Sequence, residues 1–431
     1  MKKGIQNLQS PKGMHDILPQ DQPWWDKARR EFQYVADYYY FRRIDTPLLE
    51  QAEVFEKSLG ETSDIVEKQM FSFKSGSGDR YVLRPENTAS IVRAYVQHGL
   101  SHLGQPLKLF YLGPMFRREQ PQAGRYRQFY QAGFEILGGD DDPVYDVQII
   151  QAIFRFLERL KLKNLSIHVN SIGCRICRPN YRKKLIDYYK NPNFKLCRDC
   201  HRRLRENPLR LLDCKNEPCQ EYKADAPIAL DNLCAYCSRH LKNLLEFLEE
   251  LEMPYVMDNH LVRGLDYYSR TVFEFFTNAE TEDGRKFDFA LASGGRYDYL
   301  MELFGNKSSS GVGGAIGLER VVEVMRALKV NLGLKQKSSF FFIHIGERAK
   351  KKSLRLIETL REEGFAVIES LGKDSLGAQL RAANKEKAAY ALIFGQKEAF
   401  EDSIILRDLQ SGVQETVSLK KLVSEMRKRL K

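Results

Sequence analysis

The chain has 431 residues, 43% of them hydrophobic and 29% charged. That is too long for one ordinary core and too apolar for a disordered chain, so a soluble protein of two or three domains is expected. Its net charge of +11 points toward a polyanionic partner, and no apolar run approaches the roughly 18 residues that a membrane span needs. The N-terminal MKKGIQNLQSPKGMHDILP carries two lysines but no apolar h-region, so it does not read as a signal peptide and a cytoplasmic location is expected.

Residues 23–40, PWWDKARREFQYVADYYY, open on Pro23 and repeat apolar residues at helical spacing (Trp25, Ala28, Phe32, Val35), which predicts an amphipathic helix. Short strand-like runs follow: RRIDTPLL, MFSF, DRYVLR, LKLFYLG and FYQAGFEILG. Helical stretches TASIVRAYVQH and VYDVQIIQAIFRFLERL lie among them. Strands in near-direct succession, without steady strand–helix alternation, predict a largely antiparallel sheet with helices, an α+β arrangement. SIHVNSIG closes a strand, and strand character resumes with PYVMDNHLVRGLDYY after residue 253.

Between them, residues 171–252 read as an inserted, mainly helical module. Cys174 to Lys242 holds 16 Lys and Arg against 8 Asp and Glu, so the basic excess is concentrated there. All eight cysteines lie in the same stretch, as the pairs Cys174/Cys177, Cys197/Cys200, Cys214/Cys219 and Cys234/Cys237. In a reducing compartment, repeated close pairs are what tetrahedral thiolate zinc sites use, so one or two structural Zn2+ ions are expected. Spacing leaves open which pairs share an ion; the chain order allows the outer four and the inner four to form separate sites. Each four-thiolate site would carry a net charge of about −2, partly cancelling the basic excess.

The frame expected is a core from 1–170 and 253–330, the insert at 171–252, a linker at 331–338 and a compact αβ domain at 339–431. That last segment reads strand (SFFFIHIG), helix, strand (FAVIES), helix, strand (AYALIFG), a hairpin turning at Ser411-Gly412, and a basic terminal helix.

Three segments carry chemistry. In GPMFRREQPQAGRYRQFYQAGFE, residues 113–135, a strand reaches Arg117, a loop with Pro121 and Gly124 turns the chain, and a second strand returns. Alternation places Phe129, Gln131, Gly133 and Glu135 on one face. An aromatic plane, an amide and a carboxylate pointing one way are unusual for a packed face, and Glu135 would be costly to bury unpartnered. In GVGGAIGLERVVEVM, residues 311–325, a glycine-rich strand enters a helix with Arg320 near its start, which suits close approach to a phosphate. The spacing is neither a Walker loop nor a dinucleotide fingerprint. In LVRGLDYYSR, Arg263 precedes Gly264 and a tyrosine pair. Such a cation is by default a solvated edge residue; the alternative is a guanidinium held over an anion.

Together SPKGMHDILP, LRPENTA, the FRRE…GRYRQF hairpin, LVRGLDYYSRTVFEF, SGGRYDYL and GVGGAIGLER resemble histidyl-tRNA synthetase, a class II aminoacyl-tRNA synthetase family, along nearly the whole chain. LVRGLDYY and SGGRYD resemble motifs specific to the histidine enzymes, while the hairpin and GLER resemble the general second and third class II motifs. The resemblance implies a class II antiparallel-sheet catalytic domain with an insertion, a C-terminal anticodon-binding domain, and histidyl-adenylate formation from ATP with Mg2+. It implies tRNA(His), L-histidine and ATP as partners and a homodimer, with TPLLE and its Pro47 in the dimerising first motif.

The family's roles fall residue by residue on this chain. Arg117 would clamp the ATP α-phosphate and the amino-acid carboxylate. Phe129 would stack on adenine, with Glu119 and Arg125 beside it; Arg320 would cover the other face and touch the γ-phosphate. Glu86, Asn87 and Thr88 of LRPENTA, with Gln131, would receive the histidine ammonium. Glu135 and Tyr268, with Tyr267 beside them, would bond its imidazole. Arg263 would lie against the α-phosphate, making Arg117, Arg263 and Arg320 the catalytic arginines. The chain departs from the family pattern at four places. Tyr40 precedes the first-motif phenylalanine where glycine is usual, and Asn87 replaces a frequent glycine at a position where asparagine can support a left-handed backbone. Gln120 replaces a basic residue, and Tyr130 a common histidine. A synthetase-like regulatory protein, which generally lacks the anticodon domain and part of the ATP site, and a zinc-bearing RNA-binding module explain less of this pattern.

Overall fold

The computed structural model describes residues 8–60, 63–120, 124–306, 309–333 and 340–430; Pro121 and positions 334–338 of the expected linker lie outside them. The chain divides into two compact units, residues up to Leu332 and from Gly333 onward. Among the described residues no helix is long and apolar enough to cross a membrane.

In the first unit, β1 (Arg42–Arg43) is followed by a small antiparallel sheet of β2 (Leu49–Gln51), β3 (Phe71–Lys74) and β4 (Arg80–Leu83). The run RRIDTPLL is therefore two strands rather than one, interrupted around Pro47, which cannot donate to a ladder. The main sheet adds β5 (Leu107–Phe116), β6 (Gln128–Leu137), β7 (Leu165–Ser171), β8 (Tyr255–Met257), β9 (Ser269–Thr277), β10 (Ala292–Arg296) and β11 (Gly311–Gly317). Its eight strands lie in the order β1-β5-β6-β11-β10-β9-β7-β8. Only the edge pairs β1/β5 and β7/β8 are parallel, so the sheet is antiparallel as expected.

Strand alternation divides the sheet into two faces. Ala132, Phe134 and Ile136 of β6, Val312 and Ile316 of β11, and Phe273 and Phe275 of β9 share one core. Helices Gln22–Tyr38, Val144–Arg159, Ala235–Glu250 and Leu318–Ala327 contribute Phe32, Ile153, Leu248 and Val321 to it. Each of these helices is amphipathic, which is why it lies flat on the sheet. The opposite face carries the polar partners of the same strands and opens onto a cavity. Gly314 faces the helices because an added Cβ would strike Ile153 and Phe273.

Two expectations about local backbone need correction. The stretch 261–268 is not a strand; regular pairing begins only at Ser269. Asn87 has φ −118° and ψ −14°, not a left-handed conformation, and precedes helix Thr88–Gln97. Tyr40, by contrast, has φ +58° and is 86% exposed, so the position where glycine is usual in the resembling family does demand left-handed backbone.

In the insert, helices Arg178–Tyr189 and Arg198–Glu206 with a short turn Pro208–Leu211 pack beneath the 261–268 loop. The second unit is a five-stranded sheet: β12 (Phe340–His344), β13 (Val367–Glu369), β14 (Tyr390–Phe394), β15 (Ser403–Asp408) and β16 (Gln414–Ser418), in the order β13-β12-β14-β15-β16. The hairpin β15/β16 turns at Ser411-Gly412 as expected, with Gly412 at φ +77°. A short helix Gln396–Glu401 between β14 and β15 was not legible in the sequence.

Candidate active site

A cavity of about 750 Å³ opens on the polar face of the main sheet, within the size range of small-molecule sites. Arg117, Glu119, Arg125, Phe129 and Gln131 of the hairpin line it, together with Glu86 and Thr88, Arg263, Tyr267 and Tyr268, and Arg320. Segments more than 200 residues apart in sequence thus meet at one site.

Each arginine is aimed by protein acceptors. Arg117 Nε donates to Pro85 O at 2.9 Å, and its guanidinium lies 5.3 Å from the Phe129 ring centroid. Arg320 donates from Nε to Gly124 O at 3.1 Å and from Nη1 to Ala290 O at 2.8 Å. Arg263 donates from Nη1 to Glu274 and from Nη2 to Ser293 Oγ at 2.6 Å. It is 17% exposed, so it is not a solvated edge cation. Burial and mutual repulsion with Arg125 and Arg117 lower the Arg320 pKa, which remains far above neutrality for a guanidinium. Glu119 faces Arg125 at 3.6 Å and Arg117 at 4.0 Å.

Glu86 caps helix Thr88–Gln97. Its oxygens accept from Thr88 N at 2.7 Å and Ala89 N at 2.9 Å, satisfying two donors that the helix leaves free. Burial raises its pKa, and these two backbone donors oppose the rise. Gln131 offers a buried Oε1 without a protein partner, a free acceptor in the wall.

Two expected histidine-site residues do not line the cavity. Asn87 Oδ1 accepts from Thr46 Oγ1 at 2.7 Å and Arg84 Nη1 at 3.1 Å, which turns the amide into the core. Glu135 is completely buried; it accepts from Thr88 Oγ1 at 2.7 Å and from the Tyr297 hydroxyl. Burial pushes its pKa to about 8, with the Tyr297 and Thr88 hydrogen bonds opposing. Gly313 makes room for this carboxylate, since an added Cβ would collide with Glu135 Oε2.

The sequence did not single out Glu274, Ser293, Tyr111 or Glu319. Glu274 was visible as a lone charge in the apolar strand TVFEFF, and it is the partner that holds Arg263. Both Glu319 oxygens accept from Tyr130 N, at 2.9 and 3.0 Å, locking β6 to helix Leu318–Ala327; burial lifts its pKa to about 7. Arg296 of SGGRYD has no place in the cavity wall. It is fully buried and paired with Asp146 and Asp298, a structural tie between β10 and helix Val144–Arg159.

The eight cysteines form two clusters, Cys174/Cys177/Cys234/Cys237 and Cys197/Cys200/Cys214/Cys219. Within each cluster the four Sγ atoms lie inside 4.8 Å of one another, and none is in a disulfide.

Comparison with known proteins agrees with this architecture. The profile of the histidyl-tRNA synthetase family matches residues 13–321, and that of an anticodon binding domain matches 339–429. Histidine--tRNA ligase of Natranaerobius thermophilus is 40% identical over 413 residues, covering 95% of this chain and 96% of that one. The Dehalococcoides mccartyi protein of the same name is 41% identical over 422 residues, 98% and 100% of the two chains. The crystal structure of apo S. aureus histidyl-tRNA synthetase superposes with a TM-score of 0.79 at 28% identity, over 97% of this chain and 99% of that one. The chain belongs to the histidyl-tRNA synthetase family, within the class II aminoacyl-tRNA synthetases.

Proposed function

We propose that this protein ligates L-histidine to tRNA(His) in two steps. In the first, a histidine carboxylate oxygen attacks the α-phosphorus of ATP; the P–O bond to pyrophosphate breaks and histidyl-adenylate forms. In the second, a terminal ribose hydroxyl of the tRNA attacks the activated carbonyl, and AMP leaves. The observation that carries this reading is the convergence of Arg117, Arg263 and Arg320 with Glu86, Gln131, Tyr267 and Tyr268 on one cavity.

The residue chemistry fits the reading. Glu86, with Thr88 and Gln131, receives the substrate ammonium, and Tyr268 with Tyr267 faces the imidazole. Glu135, buried behind the wall, fixes the Thr88 hydroxyl that it accepts from. Recognition of ring nitrogens by buried polar groups supports discrimination of ~10⁴ or more against analogues that lack them. Phe129 and Arg320 sandwich the adenine, with Glu119 and Arg125 at its edge, while Arg117 forks between phosphate and carboxylate. Arg263 stabilises charge that builds on the α-phosphate. Glu119 and Glu274, both in the cavity wall, would be the carboxylates to hold an Mg2+ ion carried by ATP, which would neutralise charge on its phosphates. The C-terminal unit reads the tRNA anticodon, the paired cysteines hold structural zinc, and two chains act as a cytoplasmic homodimer.

Histidine-dependent exchange of pyrophosphate into ATP tests this, with every other standard amino acid as control. Exchange with histidine alone is expected. No exchange from folded protein would refute the ligase and favour a regulatory relative of the family.

A further inference from the structure

The loop 261–268 carries Arg263, Tyr267 and Tyr268 into the cavity, yet it has no place in the sheet's hydrogen-bond ladders. Side chains of the insert help to set its position, beside the contacts of Arg263 and Leu261 with the sheet. Arg178 Nη2 donates to Tyr268 O at 2.5 Å, and Asn207 Nδ2 donates to Asp266 Oδ1 at 2.7 Å. Arg210 lies against Gly264 and also donates to Asp64 Oδ2 at 2.8 Å.

The turn bearing Arg210 is packed through Leu211, but the helix that leads into it is poorly fixed by hydrophobic packing. Helix Arg198–Glu206, which leads into Asn207 and Arg210, reads RDCHRRLRE and buries only Cys200. A helix with no apolar face needs another anchor. Arg202 and Arg203 supply part of it by pairing with Asp64, and the cysteines close the segment on itself. Asn207 and Arg210 lie between Cys200 and Cys214, inside the chain segment that the cluster Cys197/Cys200/Cys214/Cys219 closes. Arg178 directly follows Cys177 of the other cluster.

Both clusters have zinc geometry. Thiolates arranged tetrahedrally at about 2.3 Å from Zn2+ stand about 3.8 Å apart. Here Cys174–Cys177 is 3.5 Å, Cys177–Cys237 3.6 Å, Cys174–Cys234 3.9 Å and Cys197–Cys214 3.9 Å. Backbone amides also point at the sulfurs: Ile176 N at Cys174, Cys197 N at Cys219 and Asn216 N at Cys214, at 3.2–3.4 Å. Such donors favour the charged thiolate. Cys197 and Cys214 belong to the cavity wall itself.

We propose that each cluster binds one structural Zn2+ ion, and that the inner one, on Cys197, Cys200, Cys214 and Cys219, positions the loop bearing Arg263 through Asn207 and Arg210. The coupling to catalysis rests on the synthetase reading; the metal assignment does not. Zinc bound there is a positioning device.

The test uses the full-length protein. Elemental analysis is expected to find two zinc ions per chain, falling to one in the double variant Cys214→Ser/Cys219→Ser. Replacement by Co2+ is expected to give thiolate charge-transfer bands and tetrahedral ligand-field bands. Amide hydrogen exchange at 261–268 should accelerate in the double variant. Its histidine-dependent kcat should fall on the order of 100-fold, the loss expected when a transition-state contact moves by about 1 Å. Asn207→Ala should reproduce part of the kinetic loss with both zinc ions retained, separating positioning from simple metal loss. If the double variant fails to fold, graded chelation of the wild type serves instead, with zinc re-addition restoring loop protection and activity in parallel. Metal-free wild-type protein would overturn the assignment. Loss of one zinc with unchanged loop exchange would overturn the positioning role. Two bound zinc ions without exchange activity would instead refute the synthetase reading and leave the metal sites standing.

Discussion

Replacing Arg263 with histidine tests how the active site treats charge. The guanidinium is held at both ends, by Glu274 and by Ser293, so it spends little entropy on finding its place when ATP binds. A full charge about 4 Å from a phosphate oxygen is worth about 4 kcal/mol at an effective dielectric of about 20. Most of that interaction exists already with bound ATP. What accelerates the step is the part that grows as the carboxylate attacks and negative charge accumulates on the α-phosphate. Removing a preorganised donor of this kind costs about 3 kcal/mol, or roughly 150-fold in kcat for adenylate formation. Histidine binding without ATP should be nearly unchanged, because the proposed ammonium and imidazole contacts lie on other residues. The assay is pyrophosphate exchange for kcat, with calorimetry for histidine affinity. A histidine Kd weakened as much as kcat falls would refute the reasoning and make Arg263 a substrate-binding residue. A melting curve guards against the trivial outcome, since Glu274 loses its partner.

Glu135→Gln probes the buried carboxyl. Its folded pKa, about 8, lies above the ordinary 4.5, so the stability it confers is complete below about 4.5 and is lost as pH rises through about 8. The variant should therefore gain Tm relative to wild type at pH 8 but not at pH 4.5, while KM for histidine rises; equal shifts at both pH values would count against a buried proton. Gly313→Ala should displace Glu135 and weaken histidine affinity without altering ATP affinity, measured by separate titrations; unchanged affinity would mean that the carboxylate has room to move. Arg296→Met should destabilise the catalytic unit by about 3–5 kcal/mol in denaturant melts, since Asp146 is left buried and unpaired. A loss below about 1 kcal/mol would show that water reaches the site.

The sheet and its active-site hairpin were legible because their signals are local. Alternation from Phe129 to Glu135 placed those residues on one face, and the structure sets Ala132 and Phe134 in the core on the other. Cysteine spacing likewise announced thiolate clusters but could not pair them; the fold does, by bringing residue 174 beside 234. Asn87 was misread because the resembling family often has glycine there, yet its side chain is committed to Arg84 and Thr46. Arg296 looked like a signature residue, and its task proved to be structural, since a motif marks a constraint without saying which one.

The loop 261–268 is the instructive failure. Its apolar and aromatic residues predicted a strand, but a strand would send successive side chains to opposite faces. Arg263, Tyr267 and Tyr268 all line the cavity, and in strand geometry Tyr267 and Tyr268 could not both do so. The backbone must leave the ladder for this constellation to form. Once it leaves, its amides and carbonyls need other partners, and Arg178 and Asn170 provide them at Tyr268 O and Leu261 O. The loop's conformation is therefore bound up with residues from β7 and the cysteine-clustered insert, far away in sequence. A reading confined to LVRGLDYY could identify the cation but not what holds it.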